Sequence, residues 1–173
     1  MDIVGFLRTT DLFYDLSDAQ LSKVAADCRN MTYAAGELIF AEDSPSVGLF
    51  VVVRGEVEVS IRFNIAIGSM DDDRSGGDQI VLATFSPGQC FGEIGMIDQG
   101  VRSATSKSVR DDTLLIEIDS NKLMQQCEVD TDMGFKIMRH IARALTLRVR
   151  KLDLELHGQI FWGSGDTDLS KLF

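Results

Sequence analysis

Phe91-Gly92-Glu93-Ile94-Gly95-Met96-Ile97-Asp98-Gln99-Gly100-Val101-Arg102-Ser103-Ala104-Thr105-Ser106 is the stretch whose reading decides the fold. Gly92 lets the backbone turn tightly and come close to a ligand. Glu93 follows with two strong acceptor oxygens, the complement of hydroxyl donors. Ile94 to Ile97 fit one short helical turn, whose free N–H groups suit an anion. Asp98-Gln99-Gly100 breaks that turn, and Arg102 arrives nine positions after Glu93 with Ser103 beside it. A guanidinium stays charged at any working pH and grips phosphate through a planar fork of donors. A hydroxyl-binding carboxylate, backbone donors and a phosphate-binding arginine together suit a sugar phosphate. The plain alternative is an ordinary strand–turn–strand with Glu93 and Arg102 in water.

Outward from this stretch the signal is of strands. From Met31 to Ile118, short apolar runs alternate with Gly, Asp, Ser and Pro at the intervals of an all-β barrel or sandwich. Pro87-Gly88 turns the chain into the stretch, and Thr113 to Ile118 is a last strand after it. The clearest hairpin spans Val47 to Ile61. Leu49 to Val53 lead to a turn at Arg54-Gly55, and Val57, Val59 and Ile61 then alternate with Glu56, Glu58 and Ser60. That alternation puts one face in a core and the other in water. Asn64 to Gln79 is a polar interruption containing Asp71-Asp72-Asp73 and Gly76-Gly77, longer than the usual hairpin connection. Its three Asp invite a calcium loop, but the alternating ligands, central Gly and closing Glu are missing, and a solvated loop is favoured.

With its flanks in place, the stretch resembles the phosphate-binding cassette of cyclic-nucleotide-binding domains, the family of catabolite activator protein and the regulatory subunits of protein kinase A. The family's pattern reads Phe-Gly-Glu, two apolar positions, a short spacer, then Arg with a small residue and Ala. Here those positions are Phe91-Gly92-Glu93, Ile94-Gly95-Met96-Ile97 and Arg102-Ser103-Ala104-Thr105. The resemblance implies a mainly β fold, a jelly-roll barrel with a short N-terminal helical lead-in and a long C-terminal helix. It implies that Glu93 holds a ribose 2′-hydroxyl and that Arg102 and Ser103 hold a cyclic phosphate. It implies backbone amides around the phosphate as well, and makes Gly92, Ile94, Gly95 and Ala104 candidate ligand contacts. Counting from Gly55 and Gly92, the resemblance places Val59, Ala83 and Phe85 along the wall beside purine and ribose; periodicity alone leaves each as plain barrel core. Ser103 beside Arg102 keeps cyclic GMP open alongside cyclic AMP. The family's usual glycine after the first acidic turn residue is replaced in Ala41-Glu42-Asp43-Ser44, so a shifted loop is expected there.

Helical patterns flank the barrel. Ser17-Asp18-Ala19-Gln20 has the capping-box pattern. Leu21, Val24, Ala25 and Cys28 then lie at helical spacing on one face. Thr131 to Leu156 reads as one long helix, with an apolar stripe of Ile137 or Met138, Ile141, Leu145, Val149, Leu152 and Leu156. At 1.5 Å per residue it is roughly 39 Å long. That exceeds what a small barrel needs as a cover, so part of the stripe is expected to meet a second subunit, as a homodimer, or a protein effector. In the family this helix reaches over the base. The resemblance puts Arg148 and Val149 where a member has hydroxyl residues touching adenine; Arg148 either stacks on the base or lies on the surface. Residues 1–156 thus read as one cyclic-nucleotide-binding domain: lead-in 1–30, barrel 31–118, closing helices 119–156. Residues 157–173 form a tail, which carries more large apolar groups than a disordered one usually does.

Composition narrows the function. At 173 residues, with 45% hydrophobic and 25% charged, the chain suits one soluble globular domain. A net charge of −10 repels a nucleic-acid backbone. Exposed charges are screened beyond about 8 Å at physiological salt, so a contact arginine still attracts a small anion. No apolar run is long enough to span a bilayer and no secretory signal opens the chain. Cys28, Cys90 and Cys127 are scattered, as in a reducing cytoplasm, where we expect the protein. The barrel strands hold no histidine, since His140 and His157 fall in or next to the closing helix. That speaks against a cupin-like metalloenzyme. No Ser–His or Cys–His pairing is placed for nucleophilic catalysis. Neither enzyme activity nor a metal or cofactor is expected. Nothing after Leu156 offers two helices with a basic recognition face. The leading expectation is a receptor for cyclic AMP or cyclic GMP that couples its cassette to the C-terminal helix. The alternatives are the ligand-binding part of a catabolite-activator-like regulator lacking its DNA-binding unit, and a pseudo-receptor with an occluded pocket.

Overall fold

The structure, a computed structural model, describes residues 1–63 and 78–163. The chain opens on α1 (Ile3–Leu7), whose free amide at Gly5 is capped by the Asp2 carboxylate. The expected capping box is formed: the Gln20 amide nitrogen donates to Ser17 Oγ and the Ser17 nitrogen to Gln20 Oε1, starting α2 (Asp18–Ala26). Cys28, expected on that helix, instead opens strand β1 (Cys28–Tyr33). Every residue of β1 pairs with a partner in β8 (Thr113–Asp119), from Cys28 opposite Ile118 to Tyr33 opposite Thr113. Six ladder positions outweigh one more turn of a short helix.

Among the described residues eight strands form two antiparallel four-stranded sheets, the jelly roll implied by the resemblance. One has the order β1-β8-β3-β6, with β3 at Gly48–Arg54 and β6 at Cys90–Phe91. The other has the order β2-β7-β4-β5, from β2 (Leu38–Phe40), β7 (Thr105–Ser108), β4 (Val57–Phe63) and β5 (Asp78–Phe85). The hairpin expected from Val47 to Ile61 does not form, because β3 and β4 belong to different sheets. Gly48 to Val52 are all buried, so β3 is covered on both faces and lies between β8 and β6. Gly55 turns the corner at φ +90°, so close to β8 that a Cβ there would stand 2.8 Å from Thr113 Cα. The expected alternation also fails at Ser60, which is 2% exposed. Next to it the register shifts, Val59 pairing with Ala83 and Ser60 with Val81.

The loop expected to shift at Ala41-Glu42-Asp43-Ser44 places Asp43 at φ +64°, a left-handed conformation that aspartate tolerates better than most residues. The interruption at 64–79 lies outside the described residues except for Asp78 and Gln79, which already belong to β5. Between β6 and β7 lies the expected short helix, α3 (Ile94–Asp98), ended by Gln99 at φ +54°.

After β8 come α4 (Ser120–Val129) and α5 (Thr131–Gly163). The long helix runs past the expected end at Leu156. Gly158 alone costs about 1 kcal/mol, too little to stop a helix whose next residues are Gln159, Ile160, Phe161 and Trp162. α4 and α5 meet at Gly134, where a Cβ would stand 2.7 Å from the Cys127 carbonyl oxygen. Met133, Ile137 and Ile141 are buried against Leu12, Phe13, Leu16 and Leu21 of the N-terminal segment. Farther along, Val149 and Leu152 are exposed. The first half of the stripe therefore closes the core and the second half leaves it.

Candidate ligand site

Arg102 lies inside the protein, 4% exposed. Its backbone is fixed by the loop at 41–44: Arg102 N donates to Ser44 O at 2.8 Å and Asp43 N to Arg102 O at 2.9 Å. Its Nη2 donates to Gly48 O at 2.7 Å and its Nη1 to Gly92 O at 3.0 Å. The guanidinium lies 4.0 Å from the centre of the Phe40 ring and 5.5 Å from that of Phe50. Carbonyl oxygens and π faces replace much of the water a buried cation gives up. Burial pulls the Arg102 pKa below the ordinary arginine value, against the carboxylates of Glu117 and Glu93, which raise it. Nε is buried with no partner among the described residues. Gly92, at φ +83°, is required here, because a Cβ would stand 2.6 Å from Arg102 Nη1.

Glu93 is the residue before α3 and is 2% exposed. Its Oε1 accepts from Arg148 Nη1, an ion pair that joins the cassette to α5. Arg148 Nη2 donates to Cys90 O at 3.0 Å, and its guanidinium lies 4.8 Å from the centre of the Phe85 ring. A buried carboxylate without such a partner is costly.

Two hollows adjoin these groups. The smaller, about 60 Å³, is bordered by Gly92, Glu93, Ile94, Gly95, Arg102, Ser103 and Ala104, with Val59, Phe85 and Arg148. The larger, about 770 Å³, lies between the second sheet and α5, walled by Ala83, Phe85, Leu145, Leu152 and others. Val59, Phe85, Ile94, Ser103, Ala104 and Arg148 border both. The structure thus brings the cassette residues together with Val59 and Phe85, while Ala83 faces only the larger hollow of the two. Ser103 and Ile94 are exposed at the rim. Arg148 is neither free at the surface nor over an empty face: it rests on Glu93. Sequence reasoning missed Phe40, Phe50 and the carbonyls of Gly48 and Cys90. Only Phe40 left a trace, as an aromatic closing a short apolar strand, and nothing in the sequence ties it to position 102.

Chemically, the site offers an inward carboxylate for hydroxyls, an arginine donor and a rim hydroxyl at Ser103 for an anion. His140 is used structurally, its Nδ1 lying 2.8 Å from Leu12 O and its ring stacked on Tyr14. Among the described residues no three His, Cys, Asp or Glu are grouped to hold a metal ion. Among them, too, no helix is long and apolar enough to cross a membrane.

Residues 30–130 match the cyclic nucleotide-binding domain family, and the chain belongs to it. It is 26% identical over 152 residues to the cyclic AMP receptor protein of Thermus thermophilus, covering 87% of this chain and 62% of that protein. It is 28% identical over 123 residues to human cGMP-dependent protein kinase 2, covering 70% of this chain and 15% of the kinase. The chain therefore spans less than two thirds of these relatives. Among solved structures, a putative cyclic nucleotide-binding protein from Geobacter metallireducens superposes with a TM-score of 0.69 at 21% identity, covering 86% of this chain and 99% of that one. The catabolite activator protein of Thermus thermophilus gives 0.67 at 25% identity, covering 88% and 64%.

Proposed function

We propose that this chain is a non-enzymatic receptor for a cyclic purine nucleotide, cyclic AMP or cyclic GMP. The observation that carries the reading is that Glu93 and Arg102, nine residues apart, are both buried and border one hollow. In this reading Glu93 accepts from the ribose 2′-hydroxyl. Arg102 and Ser103 hold the cyclic phosphate, with backbone amides of Gly92, Ile94, Gly95 and Ala104 around it. Nε of Arg102, buried and without a partner among the described residues, is the donor that could meet a phosphate oxygen without loss of an existing bond. Val59, Ala83 and Phe85 wall the larger hollow, which has room for the base. We take 1–156 as the receptor domain, with the exposed apolar residues late in α5 as the surface on which a second copy is read. Calorimetry is expected to give micromolar or tighter affinity for at least one of the two nucleotides, and Glu93→Ala or Arg102→Ala to abolish it. No heat and no shift in Tm with either nucleotide refutes the reading.

A second reading, the ligand-binding part of a transcription regulator, is favoured by the 62% of the Thermus cyclic AMP receptor protein that this chain covers. A salt-dependent shift of duplex DNA by this protein decides it.

A further inference from the structure

The receptor reading needs Glu93 to accept from a ligand hydroxyl, yet an arginine of the chain's own long helix already donates to it. Three contacts hold Arg148 there: the Glu93 carboxylate, the Cys90 carbonyl and the face of Phe85. The chain around Arg148 has little apolar support. Leu147, Val149 and Leu152 are exposed, and the 770 Å³ hollow separates this part of α5 from the second sheet. Arg148 borders both hollows, and its guanidinium holds the Glu93 oxygen that the receptor reading gives to a ribose hydroxyl.

We propose, resting on that reading, that Arg148 is an internal competitor for Glu93, so that the ligand's hydroxyl and the helix exclude each other at one carboxylate. Ligand entry and release of α5 beyond Leu145 are then a single event. The buried carboxylate is never left bare: it exchanges a guanidinium for a hydroxyl donor as the two hollows merge. By linkage, whatever draws Arg148 away from Glu93 strengthens nucleotide binding by the factor with which nucleotide weakens that contact. An effector gripping the free face of α5 would thus sensitise the receptor.

The test compares the wild-type chain with Arg148→Ala, using cyclic AMP and cyclic GMP in calorimetry and hydrogen exchange over residues 145–154. Competition predicts that Arg148→Ala binds about tenfold more tightly, since a charge-assisted bond no longer has to be broken. The gain is expected to vanish in a Glu93→Gln background and to shrink for the 2′-deoxy nucleotide. Without nucleotide, the variant should exchange faster over 145–154, and saturating nucleotide should bring the wild type to the same rate. If the wild type binds and Arg148→Ala binds equally or more weakly, the competition is overturned while the receptor reading stands. If neither protein binds either nucleotide, both are overturned.

Discussion

Arg102 has a structural task whatever ligand it meets. Its two terminal nitrogens join the Gly48 and Gly92 carbonyls, which belong to different parts of the chain, while Phe40 covers its face. A lysine ammonium has no planar fork for this geometry and is more strongly hydrated. Arg102→Lys is therefore expected to lower unfolding free energy by about 1–3 kcal/mol in a urea titration without nucleotide. A change below about 0.5 kcal/mol, the range of ordinary surface substitutions, contradicts that account. The same residue marks what sequence can disclose. Glu93 and Arg102 could be singled out together because both fall within one contiguous stretch that carries the resemblance. Phe40 was not singled out, and Arg148 was named only through the resemblance and without Glu93 as its partner, because those partners lie 62 and 55 residues away and depend on how sheets and helix are assembled.

The elements were legible where local chemistry dominates, as at the Ser17–Gln20 box and the turn of α3. They were misread where tertiary pairing decides. β3 and β4 resemble a hairpin because a glycine turn separates two apolar runs, yet burial of β3 on both faces places them in opposite sheets. The corner gives its own test. Gly55→Ala combines a positive φ with a Cβ only 2.8 Å from Thr113 Cα, a backbone atom that has little room to yield. We expect a loss of roughly 2–3 kcal/mol, measured as a lower urea midpoint at unchanged slope. A full hairpin would tolerate the change better.

For the whole molecule, the thiols set a limit on alkaline stability. Burial, then Asp27, pushes the Cys28 pKa up to about 12; burial, then Asp130, pushes that of Cys127 up to about 11. Cys90, wholly enclosed, is also raised well above its ordinary value, by burial and then Asp11. Below the ordinary value of 9.0 the thiols are neutral in both states, and their contribution to stability is fully present. Above it the unfolded chain releases protons that the folded chain keeps, so stability falls as pH rises from about 9 toward 12. Urea midpoints should drop across that range, and Cys28→Ala should flatten part of the decline. A Cys28→Ala slope identical to the wild type would show that this thiol does not take part.

The contact between α4 and α5 at Gly134 gives the long helix a fulcrum. Arg148 lies fourteen residues beyond it, about 21 Å along the axis at 1.5 Å per residue. Through that lever arm a tilt of about 5° at the elbow swings the guanidinium by about 2 Å, farther than a hydrogen bond can stretch. No side chain larger than hydrogen fits between Gly134 and the Cys127 carbonyl, so the two helices are in close contact there. A tilt of that size at the α4–α5 junction would part Arg148 from Glu93.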